Sequence, residues 1–273
     1  MTAADATLES IADRVFAWAV HHGPTAGVIV DDDGLTVVDT LMVASQWTSF
    51  AAAVTALGLP VRRVVCTDAR IDHVGGTRAF PSAAVYGSEE TSVALDQPMP
   101  VDAYKRVIPE HADEFDQLAE FGTRPTTHLI TDAAALTPRI EVLPVNAFTE
   151  GDVLVQVPDV DVCFTGDVLW NGETPLGFAA DFDAWIQVLE HLSDLAEVFV
   201  PGHGPASSAE DIRTLRRYLM ACESARGDVS ALAAGPWNEW THAERHVINV
   251  ERAHLLEQGR DEIPSSFSKL VTD

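Results

Sequence analysis

The chain has 273 residues, 47% of them hydrophobic, enough for a large α/β core and too many for general disorder. Lys plus Arg total 17 against 42 Asp plus Glu, a formal net charge of −25, which argues against nucleic acid or an anionic membrane as partner. Three cysteines, an odd and sparse count, fit a reducing compartment.

The opening "MTAADATLES" has neither the basic start nor the apolar stretch of a signal peptide. No apolar run approaches the ~18 residues that span a bilayer. The expectation is a cytoplasmic protein.

"TAGVIV", "DDDG" and "LTVVD" predict a β-hairpin, two β-branched runs around an Asp/Gly turn. "SQWTSFAAAVTALG" predicts a helix capped by Ser45 and stopped by Gly58. "VRRVVCT" and "AAVYG" predict short strands. Residues 88 to about 124 are polar and weakly periodic, and read as helical or as a lid; substrate specificity is expected there.

"RIEVLPV", "DVLVQVP" and "DVCFTG" predict further strands. "DFDAWIQVLEHLSDL" predicts an amphipathic helix with Trp185, Val188, Leu189 and Leu192 on one face. "EVFV" predicts a strand that runs into "PGHGP". A capping box, Ser207 to Glu210 or Ser208 to Asp211, starts the next helix. The stretch from about Glu239 to Glu257 also reads as helical. With no repeat and no low-complexity linker, one domain over 1–273 is expected, with a C-terminal helical segment from about 207 to 273.

Three segments share one placement. "TDARIDHVGG", "GDVLWNG" and "PGHGP" each follow an apolar strand. Loops at one sheet edge can converge on one point, held by rigid strands. They deliver Asp72, His73, Asp167 and His203, a set that suits Zn²⁺, Fe or Mn²⁺. Each residue alone has a plainer reading as a turn or loop residue; the weight lies in their order and placement. "THAERH" puts His242 and His246 four apart on an expected helix, read as an exposed face. Trp170 reads either as pocket lining or as core.

In these motifs the chain resembles the metallo-β-lactamase fold superfamily of hydrolases. The family's T-H-x-H-x-D-H-x-G-G is matched at Thr67, Asp72, His73, Gly75 and Gly76. Its hairpin aspartate is similar to Asp39. Its later stretch is matched at Thr149, Gly151, Asp152 and Asp167, and P-G-H-G-P is whole around His203. The resemblance covers roughly residues 25 to 206. It implies an αββα sandwich, two mixed β-sheets flanked by helices, with a metal site at one edge.

Family members hold one ion on three histidines at positions that here are Asp68, Arg70 and Phe148. The second ion's ligands are intact as Asp72, His73, His203 and the bridging Asp167. The pattern implies a one-metal centre, with Phe148 supplying bulk and Arg70 a charge able to pair with Asp68 or Asp167. The expected cofactor is one divalent ion, zinc before iron or manganese. The expected chemistry is cleavage of an ester, lactone or ether-type C–O bond in a small molecule by a metal-bound hydroxide, with Asp72 and Arg70 as catalytic residues. Homo- or hetero-oligomers are expected. The rival reading is a catalytically impaired subunit that supports an active partner of similar fold.

Overall fold

The computed structural model describes residues 7–272; residues 1–6, which open the stretch read above as no signal peptide, lie outside the described residues. The chain starts with strands β1 Glu9–Ala12 and β2 Val15–Ala19, for which the sequence raised no expectation. The half-exposed β1 carries no buried alternation to reveal it. The predicted hairpin follows as β3 Thr25–Asp31 and β4 Gly34–Val38, with Asp31 opposite Gly34. Helix α1, Ala44–Ala56, begins one residue before Ser45. Val43 is its N-cap, and the Ser45 hydroxyl instead donates to Glu114. Strand β5 Val61–Val65, the one-turn α2 Ile71–Val74 and β6 Ala84–Gly87 come next.

The polar stretch after residue 88 forms three helices, α3 Glu89–Leu95, α4 Val101–Val107 and α5 Ala112–Phe121. Strands β7 His128–Leu129, β8 Ala134–Ala135, β9 Glu141–Val145, β10 Asp152–Val157 and β11 Val162–Trp170 follow. Helix α6 Phe182–Leu192 leads to β12 Val198–His203. The predicted face of α6 is largely confirmed: Trp185, Leu189 and Leu192 are buried. Helices α7 Ala209–Ser224, α8 His246–Glu257 and α9 Ser265–Thr272 close the chain. Of the two capping boxes weighed, Ser208–Asp211 is the one formed.

Strands β1 to β7 form one sheet in sequence order; its first pairs are antiparallel, and β4, β5, β6 and β7 are parallel. The second sheet runs β12-β11-β10-β9-β8, with only β11 and β12 parallel. Both sheets are therefore mixed. Val15, Ile29, Val38 and Val65 of the first pack against Val153, Val155, Phe164 and Val200 of the second. Helix α1 covers the outer face of the first sheet through Phe50 and Val54. Helices α6 and α7 cover the second through Trp185, Leu189, Leu215 and Leu219. This is the αββα sandwich. The sheets approach closely at Gly27, where a Cβ would lie 2.1 Å from the Phe164 ring.

The parallel pairs matter for the site. Strands β4 and β5, and β11 and β12, run their C-terminal ends to one edge, where ligands gather in open α/β sheets. Among the described residues, no helix is long and apolar enough to cross a membrane.

Candidate metal centre

Just beyond β4, Asp39 adopts a left-handed backbone, φ 57°. Its carboxylate accepts from the Thr67 amide at 2.8 Å and the Thr67 hydroxyl at 2.7 Å. The same carboxylate lies 2.8 Å from His73 Nδ1. That contact directs the Nδ1 proton at Asp39 and leaves Nε2 to face the site. Gly75 and Gly76 press this turn against the segment after β4; a Cβ there would sit 2.0 Å from the Met42 carbonyl oxygen or 2.3 Å from that of Thr40. Thr40 seals the contact by donating its amide to the His73 carbonyl at 2.7 Å.

Asp167 lies inside β11 and not, as expected, in a loop after it. The strand kinks at Gly166, φ +52°, and continues to Trp170 with shifted register. A Cβ on Gly166 would lie 2.3 Å from Thr67 Oγ1, and one on Gly202 would lie 2.3 Å from Asp167 Oδ1. Only glycines allow the two edges to come this close. His203 is the last residue of β12. Trp170 is core, one of the two readings given to it: it is buried, and its ring stacks on His203 with centroids 3.8 Å apart and planes 3° off parallel.

One ligand atom from each of Asp72, His73, Asp167 and His203 lies within 4.8 Å of all the others. His73 Nε2 is 3.3 Å from Asp167 Oδ1, and His203 Nε2 is 3.0 Å from Asp72 Oδ2 and 3.6 Å from Asp167 Oδ1. Zinc ligands at ~2.1 Å in a tetrahedron stand about 3.4 Å apart, so these separations suit a central cation. Hydrogen bonding accounts for only the His203–Asp72 pair. His73 Nε2 and both Asp167 oxygens are buried with no hydrogen-bond partner. Buried polar atoms left so are costly, and their convergence fits an ion.

The charges are strongly perturbed. Burial pushes Asp72 up, but His73 and His203 outweigh it and hold the carboxyl well below its usual range. Burial lowers the His73 pKa, but four carboxylates, Asp68 first, raise it well above normal. Burial lifts Asp68 to about 8 and Asp152 to about 7. Asp152 is occupied locally, accepting from the Thr149 amide and hydroxyl. An excess of buried carboxyl groups surrounds the cluster.

At the positions where the family carries histidines, the structure departs from expectation in one respect. Arg70 pairs with neither Asp68 nor Asp167 through its guanidinium; only its backbone amide donates to Asp68, at 2.8 Å. The guanidinium lies over the Phe148 ring, 4.0 Å from its centroid, and 5.2 Å from that of Phe178. Phe178 in turn stacks on Phe267 of α9 at 3.9 Å. Phe148 is buried against Trp170 and Trp185, supplying the expected bulk. Cation–π attraction holds Arg70 here, where a salt bridge was expected.

Three further residues border the site. Tyr104 on α4 packs with Ile71 and Phe115, and its hydroxyl is pushed up to about 12 by burial and the charge of Asp72. Glu173 is buried with Oε2 3.7 Å from His203 Nδ1. Arg245 lies 5.9 Å from the Trp170 centroid. None carries a spacing signal; the lid reading of residues 88 to 124 is the nearest pointer, to Tyr104. His242 and His246 do not share a helix: His242 is left-handed, φ 60°, outside α8, and His246 Nδ1 meets the Tyr218 hydroxyl at 2.9 Å.

Solved structures share this fold. The metallo-beta-lactamase FIM-1 from Pseudomonas aeruginosa in its mono-zinc form superposes with TM-score 0.61 at 18% identity, covering 78% of this chain and 93% of its own. A metallo-beta-lactamase from Erythrobacter litoralis gives TM-score 0.58 at 20% identity, covering 77% and 93%. The stereoselective inverting sec-alkylsulfatase Pisa1 from Pseudomonas sp. gives TM-score 0.65 at 16% identity, over 93% of this chain and 50% of the sulfatase. The family description "Metallo-beta-lactamase superfamily" matches residues 20–203, from the strand edge before β3 to the last of the four clustered side chains. The chain belongs to the metallo-beta-lactamase superfamily.

Proposed function

We propose that the chain is a metal-dependent hydrolase using a single divalent ion, zinc before iron or manganese, on an ester, lactone or ether-type C–O bond of a small organic substrate. One observation carries the reading. A single donor set is whole, with His73 Nε2 and both Asp167 oxygens buried at its centre without hydrogen-bond partners, while the neighbouring positions hold a guanidinium over a phenyl ring. The neighbours' names, a beta-lactamase and an alkylsulfatase, fit hydrolysis.

Asp72, His73, Asp167 and His203 would hold the ion, which when bound lowers the pKa of water and acts as a Lewis acid. The remaining work falls to side chains. The Asp72 side chain is 20% exposed and is ionised at neutral pH, so it is placed to take a proton from water at the mouth of the site. Arg70, half-exposed and charged at all working pH, lowers the pKa of Asp72 by its field and faces negative charge that develops on a carbonyl or leaving oxygen. The buried Phe148 ring keeps water from the inner side of that cation. Tyr104 keeps its proton across neutral pH and is a donor on the α4 side.

Protein purified without chelator is expected to contain one ion per chain by elemental analysis, and to turn over at least one of a panel of aryl esters, lactones and aryl ethers. Arg70→Met should keep the ion and lose about 10²-fold in kcat. Two ions per chain, or a chain that stays ion-free in zinc, iron and manganese, defeats the reading. Full ion content with no turnover of the panel favours the non-catalytic subunit.

A further inference from the structure

His73 has a carboxylate of its own at Nδ1, and so does His203. The partner of His203 is Glu173, which the sequence motifs do not contain. Its Oε2 lies 3.7 Å from His203 Nδ1, and both side chains are less than a tenth exposed. His203 Nδ1 is buried with no hydrogen-bond partner, and the Glu173 carboxylate faces it at ion-pair distance. The opposite nitrogen, Nε2, points at Asp72 and Asp167. The ring plane is fixed by the stacked Trp170.

Glu173 is not held by the family's strands alone. Segment 241–245, beyond the end of the family match at 203, grips the residues around it. The Thr174 amide donates to the Thr241 carbonyl, and the Thr241 amide donates to that of Gly172. Arg245 Nη1 donates to the Thr174 carbonyl at 3.0 Å. Burial lowers the pKa of this guanidinium, and Glu173 is the foremost charge opposing that effect. Arg245 therefore sits in the field of Glu173 and offsets its charge.

We propose that Glu173, backed by Arg245 of the C-terminal segment, is the positioning residue of His203. Glu173 draws the imidazole proton to Nδ1 and leaves the Nε2 lone pair free for a cation. Arg245, anchored to the Thr174 carbonyl, sets its charge beside this turn without competing for the ring. The C-terminal segment thus completes the centre without touching it. This rests on the one-ion reading of the same site. Carboxylates behind ligating histidines typically contribute 10- to 100-fold in metal affinity.

The test is zinc affinity of the full chain by competition with a chromophoric chelator, alongside thermal unfolding of the metal-free protein. Glu173→Ala should weaken zinc binding by about 10- to 100-fold, and Glu173→Gln, which still accepts from Nδ1–H, should recover most of that loss. Arg245→Met should weaken it by a smaller factor in the same direction. The metal-free variants should unfold cooperatively, as the parent does. Wild-type zinc affinity in Glu173→Ala overturns the assignment, and so does a Glu173→Gln chain no better than Glu173→Ala. Loss of cooperative unfolding in metal-free Glu173→Gln, which preserves shape, also overturns it by making the residue structural. A parent chain that binds no zinc defeats the one-ion reading itself, together with this proposal.

Discussion

Asp167→Asn is expected to fold, to take up no zinc, and to lose at least ~10²-fold in hydrolytic rate. The substitution keeps the shape that fits against Gly202 while removing the charge whose two oxygens are buried without hydrogen bonds. The clearest readout is the ion's effect on stability. At free zinc a thousandfold above its Kd, a binding chain gains about 4 kcal/mol. The parent should show that gain as a rise in Tm, and Asp167→Asn should show none. A variant that still gains stability from zinc would remove Asp167 from the ligand set. His73→Ala should behave similarly, with a lower metal-free stability because Asp39 then loses its imidazole partner.

Metal-free protein should become less stable as pH rises from about 4 to about 8, and Asp68→Asn should remove much of that slope. Asp68 is raised from the ordinary 3.8 to about 8 by burial. Between those values the folded chain holds a proton that the unfolded chain has released, so rising pH favours unfolding. His73 acts in the same direction: its raised pKa gives stability that is present below its unfolded value and lost as pH climbs through the folded one. The Asp68 Oδ1 acceptor for the Arg70 amide survives in asparagine, so the local turn is kept. At pH 8 the variant should melt higher than the parent by on the order of 5 °C, with the gap closing toward pH 4. Chelator-treated samples followed by circular dichroism at pH 5 and 8 measure this. A parent curve flat across that range would show that the Asp68 carboxyl is already relieved of its burial.

The sandwich and the four clustered side chains were legible because both are written in local pattern. Apolar strands are followed by Gly, Asp and His in an order that few folds share. The roles of Arg70, Glu173 and Arg245 were not legible in the same way. Arg70 was seen as a cation in a vacated position, but its direction depends on Phe178 and Phe267, more than a hundred residues away, and sequence alone suggested a salt bridge. Glu173 and Arg245 meet only because Thr241 pairs with the 172–174 turn. The Ser45 cap failed because Val43 supplies an extended residue two positions earlier and Glu114 claims the serine. The β1 strand lay at an exposed edge, where burial leaves no alternation to read.

The two sheets are also consecutive in the chain: β1 to β7 end at Leu129, and β8 to β12 begin at Ala134. On the ribosome the first half emerges first. Asp72 and His73 therefore emerge while His203, 131 positions after Asp72, is still unmade. The four-residue cluster is therefore among the last features of the nascent molecule to come together, since it needs the final strand.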